Sequence, residues 1–240
     1  VLYLEGLIFS IDNMNLFNAV CHSMTTIATA GFSTLPNGIN DFNSTIVELT
    51  IVVFMLLGAT NFTLHYLFLF KKKFEYRNDY EIRYYLGIVL LIFILIFSNL
   101  FSTFGFSGFS HSLFNTVSIL TTTGYTVGNY ESWPPLSKLL IFIMFFIGGT
   151  AGSTTGGIKI MRTILVFKYI KSEVRKMMHP KGIYPIIIGN NSVPDNVVRN
   201  TLGFYLFYIF IFVIASVVFT LNGENIVTSV SAAAASIGNI

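Results

Sequence analysis

The sequence predicts an all-α integral membrane protein made of repeated units. Each unit is expected to hold an outer helix, a short re-entrant helix ending in a loop, and an inner helix. Three observations carry that expectation: long apolar runs, basic residues gathered into two clusters, and a Thr-Gly-aromatic segment that occurs twice. Of the 240 residues 53% are hydrophobic and only 10% charged, and the mean hydropathy is +0.71. A soluble domain carries about 25% charged residues, so the chain is read as lipid-embedded.

The apolar runs lie at residues 46–70, 84–101, 136–147 and 202–221. At 1.5 Å per helical residue, about 20 residues cross a hydrocarbon core about 30 Å thick. The run 136–147 is too short alone and needs the Gly-rich continuation that follows it. Residues 1–11 read as the end of a further helix whose start is missing, with no initiator Met, signal peptide or charged leader. Leu35-Pro36-Asn37-Gly38 and Glu131-Ser132-Trp133-Pro134-Pro135 carry turn signals and are read as exposed connections. Trp133 suits the outer interface, with its ring at headgroup level.

The net charge is +3, but its distribution is more informative. Lys71, Lys72, Lys73, Arg77 and Arg83 form one cluster. Lys159, Arg162, Lys168, Lys171, Arg175, Lys176, Lys181 and Arg199 form the other, and only Lys138 lies outside them. By the positive-inside rule both clusters face the cytoplasm of a multi-pass protein in the plasma membrane. The chain must then cross an even number of times between Arg83 and Lys159. The run at 84–101 and the helix starting near Leu136 supply those crossings, so residues 111–127 must dip in and return on the same side. Basic clusters beside apolar spans set orientation, and nucleic acid is not an expected partner. The lone Cys21 excludes an internal disulfide or a cysteine metal site and is expected to pack as a small buried hydrophobe.

The repeated segment is Thr29-Ala30-Gly31-Phe32-Ser33 and Thr122-Thr123-Gly124-Tyr125-Thr126. The match extends backwards in register, setting Met24-Thr25-Thr26-Ile27 against Val117-Ser118-Ile119-Leu120. Both copies resemble the TVGYG loop of potassium channels, whose backbone carbonyls replace an ion's hydration shell. Gly31 and Gly124 permit carbonyl geometries that a Cβ would obstruct. Short helices are expected at roughly 15–28 and 110–121, with a third in the Ser/Ala run 228–236 leading into Asn239 and Ile240. Two complete loops cannot enclose a pore, so the chain is either part of a longer one or assembles with copies of itself.

Together with Cys21-His22-Ser23-Met24-Thr25-Thr26, Asn61-Phe62-Thr63-Leu64-His65-Tyr66 and Gly148-Gly149-Thr150-Ala151-Gly152-Ser153-Thr154-Thr155-Gly156-Gly157-Ile158-Lys159, these loops resemble the TrkH/KtrB/HKT superfamily of potassium transporters. The resemblance is nearest to its bacterial TrkH-type branch and covers nearly the whole chain as about the second to fourth repeats. It implies outer helix–pore helix/filter loop–inner helix units around one pore. The units fall at 1–70, with the outer helix mostly missing, at 84–170, and at 200–240, truncated in its filter; basic cytoplasmic loops lie at 71–83 and 171–199. It implies K⁺, with Na⁺ as a further candidate, as the permeant ion and no covalently bound cofactor. The K⁺-binding filter would be Thr29, Ala30, Gly31, Phe32, Thr122, Thr123, Gly124, Tyr125, Asn239 and Ile240, with Phe32 and Tyr125 bracing the loops from behind. Implied partners are a cytosolic RCK-type nucleotide-binding subunit on the basic face, the lipid bilayer, and a second copy in a homodimer. Anionic lipid headgroups compete for that basic face.

Five Gly in residues 148–157 interrupt an inner helix, and each costs roughly 1 kcal/mol there relative to Ala. The stretch should be unwound or easily bent. One reading is a gate made of Gly148, Gly149, Gly152, Ser153, Thr154, Thr155, Gly156 and Gly157; the other is close helix packing through a doubled small-xxx-small pattern. The resemblance favours the gate. A phosphate loop does not fit, because Ile158 stands where Lys is required. Asn61 and His65, four apart, are expected to share a face of the first inner helix, lining the pore or bonding between helices. His22, His111 and His179 show no ligand spacing with carboxylates, and Glu48 needs no special role. No residue set proposes covalent or acid–base chemistry, so no enzyme is expected. An ion-coupled secondary transporter and a nonconducting membrane scaffold stand as the alternatives.

The charge argument is directly testable. Cysteines placed at Asn37 and Glu131 should label with a membrane-impermeant thiol reagent from outside intact cells, and those at Lys72 and Lys171 only after permeabilisation. Labelling of positions 131 and 171 from the same side would break it.

Overall fold

The computed structural model describes every residue except Asn190, and for Ser107 the backbone only. Asn190 belongs to the expected 171–199 connection and lies outside the described residues. The described residues form ten α-helices. These are α1 (Leu2–Phe9), α2 (Leu16–Ile27), α3 (Thr45–Gly58), α4 (Phe62–Lys71), α5 (Tyr80–Phe104), α6 (Gly108–Leu120), α7 (Pro135–Met144), α8 (Ile160–Met178), α9 (Asp195–Leu221) and α10 (Ile226–Gly238). The only strands among the described residues are two-residue pairs. β1 (Ile147–Gly148) runs parallel to β2 (Ile158–Lys159), and β3 (Ile187–Ile188) antiparallel to β4 (Asn191–Ser192). The fold is therefore all-α in substance.

Helix starts follow ordinary capping chemistry. Asn15, Asn61, Asp79 and Asn225 each accept a backbone N–H of the first turn through the side chain, satisfying a donor that the helix itself leaves free. Pro135 opens α7, where its missing N–H costs nothing. Helix α6 packs against α5 and α3, α10 against α9, and α5 also against α7. The core shared by α3, α5, α6 and α7 includes Val47, Ile51, Met55, Tyr85, Ile96, Leu100, Phe114, Val117, Leu120 and Met144.

Among the described residues α5 and α9 are long and apolar enough to cross a membrane, and α3 with α4 makes a third candidate, bent by 96°. The chain is thus an integral membrane protein with an all-α fold. Only 6% of the most apolar window of α9 is buried, which leaves its greasy surface for lipid or another protein chain.

Several expectations need correction. The first inner helix at 46–70 is not continuous: α3 ends at Gly58 and α4 restarts at Phe62. The carbonyls freed at the break are taken by a distant segment. Gly58 O accepts from Thr154 N at 3.2 Å, and Ala59 O from Thr150 N at 3.1 Å. Asn61 is consequently a cap and not a face-sharing partner of His65. The His65 ring instead bonds the Leu57 carbonyl at 2.9 Å and the Tyr76 hydroxyl at 2.7 Å, so it repairs the break from the other side. Trp133 is 4% exposed and belongs to the core. Burying so large a ring outweighs a place at the interface. Within 171–199, α8 runs to Met178 and α9 begins at Asp195. Within 71–83, α5 begins at Tyr80 after the Asp79 cap. Cys21 is only partly buried, and Glu48 accepts a hydrogen bond from the Ser110 hydroxyl.

Candidate functional site

Helices α2, α6 and α10 end in the same way. Just beyond each helix one residue turns left-handed: Thr29 at φ 50°, Thr122 at 53° and Asn239 at 59°. The next residue's N–H then reaches back five positions, Ala30 to Thr25 O and Thr123 to Ser118 O at 2.8 Å, and Ile240 to Ala235 O at 3.0 Å. Two residues past each Thr, Gly31 and Gly124 hold φ 72° and 82°, a region that L side chains adopt only with strain. The three ends meet. A Cβ on Gly31 would stand 1.8 Å from Thr123 O, and one on Gly124 would stand 3.0 Å from the Ile240 carbonyl carbon. Ala30, Gly31, Thr123, Gly124, Asn239 and Ile240 line one common space of about 350 Å³.

Buried polar side chains hold these loops from behind. His22 is fully buried; its Nδ1–H donates to Asn18 O at 2.8 Å, which leaves Nε2 to accept from the Ser33 hydroxyl at 2.9 Å. Asn115 stands at the equivalent place in the second loop, since both residues lie seven before the left-handed Thr (22 to 29, 115 to 122). Its amide donates to Val127 O at 2.7 Å and to His111 O at 2.8 Å. Sequence reasoning missed Asn115; the signal was a polar residue in register with His22. Tyr125 is 3% exposed, and its hydroxyl bonds the Phe32 carbonyl at 3.2 Å and the Thr25 hydroxyl. It therefore braces the first loop as well as its own. Phe32 does not brace from behind: its ring is 76% exposed, and its carbonyl is what Tyr125 and Thr25 hold.

Residues 148–157 leave the helical path between α7 and α8 and fold against the loop bases. Thr154 Oγ1 donates within reach of Ile27 O at 3.0 Å and Gly58 O at 3.1 Å, and accepts from the Thr29 hydroxyl at 3.2 Å. Gly156 N donates to Thr122 Oγ1 at 2.7 Å. The first Thr of each complete loop is thereby tied to the Gly-rich segment. The glycines are there for backbone contact. A Cβ would stand 2.2 Å from Gly156 O at Gly148, 2.4 Å from Gly238 O at Gly156 and 2.8 Å from Ala59 O at Gly149. Gly152, at φ 73°, faces the Asn61 side chain. A helix-to-helix small-xxx-small seam does not apply, because the segment is not helical.

Among the described residues no three His, Cys, Asp or Glu gather as a metal site.

Comparison with known proteins decides the lineage. The family model TrkH, described as "Cation transport protein", matches residues 3–106 and 102–240. The chain belongs to the TrkH family of K⁺ transporters. It is 33% identical over 239 residues to the Trk system potassium uptake protein TrkH of Halomonas elongata, covering 98% of this chain and 50% of that protein. Identity to TrkG of Escherichia coli K12 is 34%, over 97% of this chain and 49% of that protein. The crystal structure of the potassium transporter TrkH from Vibrio parahaemolyticus superposes with TM-score 0.91 at 34% identity, covering 99% of this chain and 53% of that one. The chain spans about half the length of the curated relatives it matches.

The glycine contacts make a stability prediction. Gly156→Ala would push a methyl into the Gly238 carbonyl, which the backbone cannot easily move, and should cost about 1–3 kcal/mol. Gly87→Ala, in α5 with nothing within 4 Å of its Cβ position, should stay within about 1 kcal/mol of the parent. Thermal unfolding midpoints in detergent check both, and equal midpoints would refute the packing account.

Proposed function

We propose that this sequence forms pore repeats of the membrane subunit of a K⁺ uptake system. It conducts K⁺, with Na⁺ as a further candidate ion, through a filter to which Thr29, Ala30, Gly31, Phe32, Thr122, Thr123, Gly124, Tyr125, Asn239 and Ile240 contribute. The observation that carries the reading is the convergence of three like helix ends on one polar space. Bare carbonyls at membrane depth are tolerated only where they are buried or line a water-filled path, and ion-selective filters use such carbonyls in place of water. A closed ring needs a fourth loop. The repeats are those at 1–70, 84–170 and 200–240, and the basic connections face the cytoplasm.

Segment 148–157 is the gate in this reading. It is unwound, packed against both Thr-Gly loops, and held by bonds to side chains as well as backbone. A segment held by such bonds can have two arrangements of similar free energy, which a partner can bias. The partner is a cytosolic RCK-type nucleotide-binding subunit seated on the basic face of α8 and the following connection, and the assembly is a homodimer in the plasma membrane.

Gly124→Ser, in a full-length TrkH polypeptide carrying this sequence, should raise Na⁺ permeation relative to K⁺ severalfold. A Cβ at φ 82° against Ile240 must displace a carbonyl. Ser132→Ala, far along the exposed connection, should not change the ratio. An unchanged Na⁺/K⁺ flux ratio for Gly124→Ser in proteoliposomes would sink the filter assignment.

A further inference from the structure

Two charged side chains beside the Gly-rich segment have no part in a filter. Lys159 directly precedes α8 at the exit of the segment. Its ammonium turns back on the segment, donating to Thr155 Oγ1 at 2.8 Å, to Ser153 Oγ at 3.4 Å and to the Thr155 carbonyl. Glu81 lies in the first turn of α5 and is 7% exposed. Its Oε1 accepts from Ala151 N at 2.8 Å.

The two charges do not pair directly, since the only ion pair within 4 Å among the described residues joins Lys176 and Glu173. They grip the middle of the segment at neighbouring points instead, the carboxylate at Ala151 and the ammonium at Ser153 and Thr155. Hydrogen bonds with one ionised member are about twice as strong as neutral ones. Here they hold a backbone that lacks helical bonds of its own. The oxygens under the ammonium, hydroxyls and a carbonyl, are also the kinds that would solvate a passing K⁺, so Lys159 occupies them as a tethered cation.

We propose that Lys159 is a positioning residue that fastens segment 148–157 in its blocking arrangement, with Glu81 as a second anchor at Ala151. The proposal rests on the gate reading above. Because Lys159 abuts the first residue of α8, a displacement of that helix withdraws the ammonium from Ser153 and Thr155. The same helix carries Lys168, Lys171, Arg175 and Lys176 towards the basic face, so a partner acting there is mechanically linked to the latch.

The test uses a full-length TrkH polypeptide carrying this sequence, reconstituted in liposomes without any cytosolic subunit, with K⁺ flux as the readout. Lys159→Met should raise partner-independent flux severalfold, while Lys159→Arg, which keeps charge and donors, should stay near the parent. Glu81→Leu should also raise flux, and Glu81→Gln, which retains an acceptor for Ala151 N–H, should raise it less. Deleting residues 153–155 tests the gate itself. High flux after the deletion with parental flux in Lys159→Met overturns the latch and leaves the gate standing. No rise after the deletion defeats the gate reading and the latch with it. If Lys159→Met does not fold by size-exclusion chromatography, Lys159→Gln takes its place with the same outcomes. Equal flux in the Met and Arg variants also refutes the proposal, because a role in packing alone would not separate them by charge.

Discussion

Unpaired backbone groups cannot be left at membrane depth, and in this chain that demand is met by segment 148–157 and the broken helices it joins. The end of α3 leaves Gly58 and Ala59 carbonyls free, and Thr150 and Thr154 take them. The end of α2 leaves the Ile27 carbonyl, which Thr154 also reaches. Each break is therefore the other's cap. Removing either would strand several acceptors at once, and a buried group without a partner costs about 1–3 kcal/mol. The bend of 96° between α3 and α4 and the unwinding after α7 are one structural event seen from two places in the chain.

The same constraint explains the loops. Thr29, Thr122 and Asn239 accept a left-handed backbone that costs an L residue roughly 1–2 kcal/mol. Each is held there by the N–H that reaches five residues back and, for the two Thr, by a hydroxyl bond to the Gly-rich segment. Strain of this kind persists only where the surroundings over-determine it. The buried clamps His22, Asn115 and Tyr125 supply that surrounding. The Thr-Gly loops and segment 148–157 are thereby parts of one hydrogen-bond network.

Much of this was legible in the sequence because it is written in local chemistry. The ends of α2 and α6 follow from Thr-Gly-aromatic turns, the unwound stretch from five glycines in ten residues, and α5 and α9 from unbroken apolar runs. The break between α3 and α4 was not legible. Residues 46–70 read as one long, mainly apolar run in spite of Thr60 and Asn61, and what stabilises the break is Thr150 and Thr154, about 90 residues further on (59 to 150). Trp133 looked interfacial because its neighbours are Pro and Ser, whereas tertiary packing buries it. Phe32 looked like a brace by analogy with Tyr125; their opposite exposures follow from what lies behind each ring, which one sequence does not encode locally. Helix starts ran beyond the apolar runs wherever an Asp cap or a Pro set them, as at Asp79 and Pro194.

The most direct test of the account is to locate the ion. Crystals of a full-length TrkH polypeptide carrying this sequence, soaked in Rb⁺ and measured at the rubidium absorption edge, would show where a K⁺-like cation rests. The account predicts anomalous density in the space between Ala30–Gly31, Thr123–Gly124 and Asn239–Ile240, within coordinating distance of their carbonyls, and lost in Gly124→Ser. Density confined to other parts of the molecule, with that space empty, would contradict it.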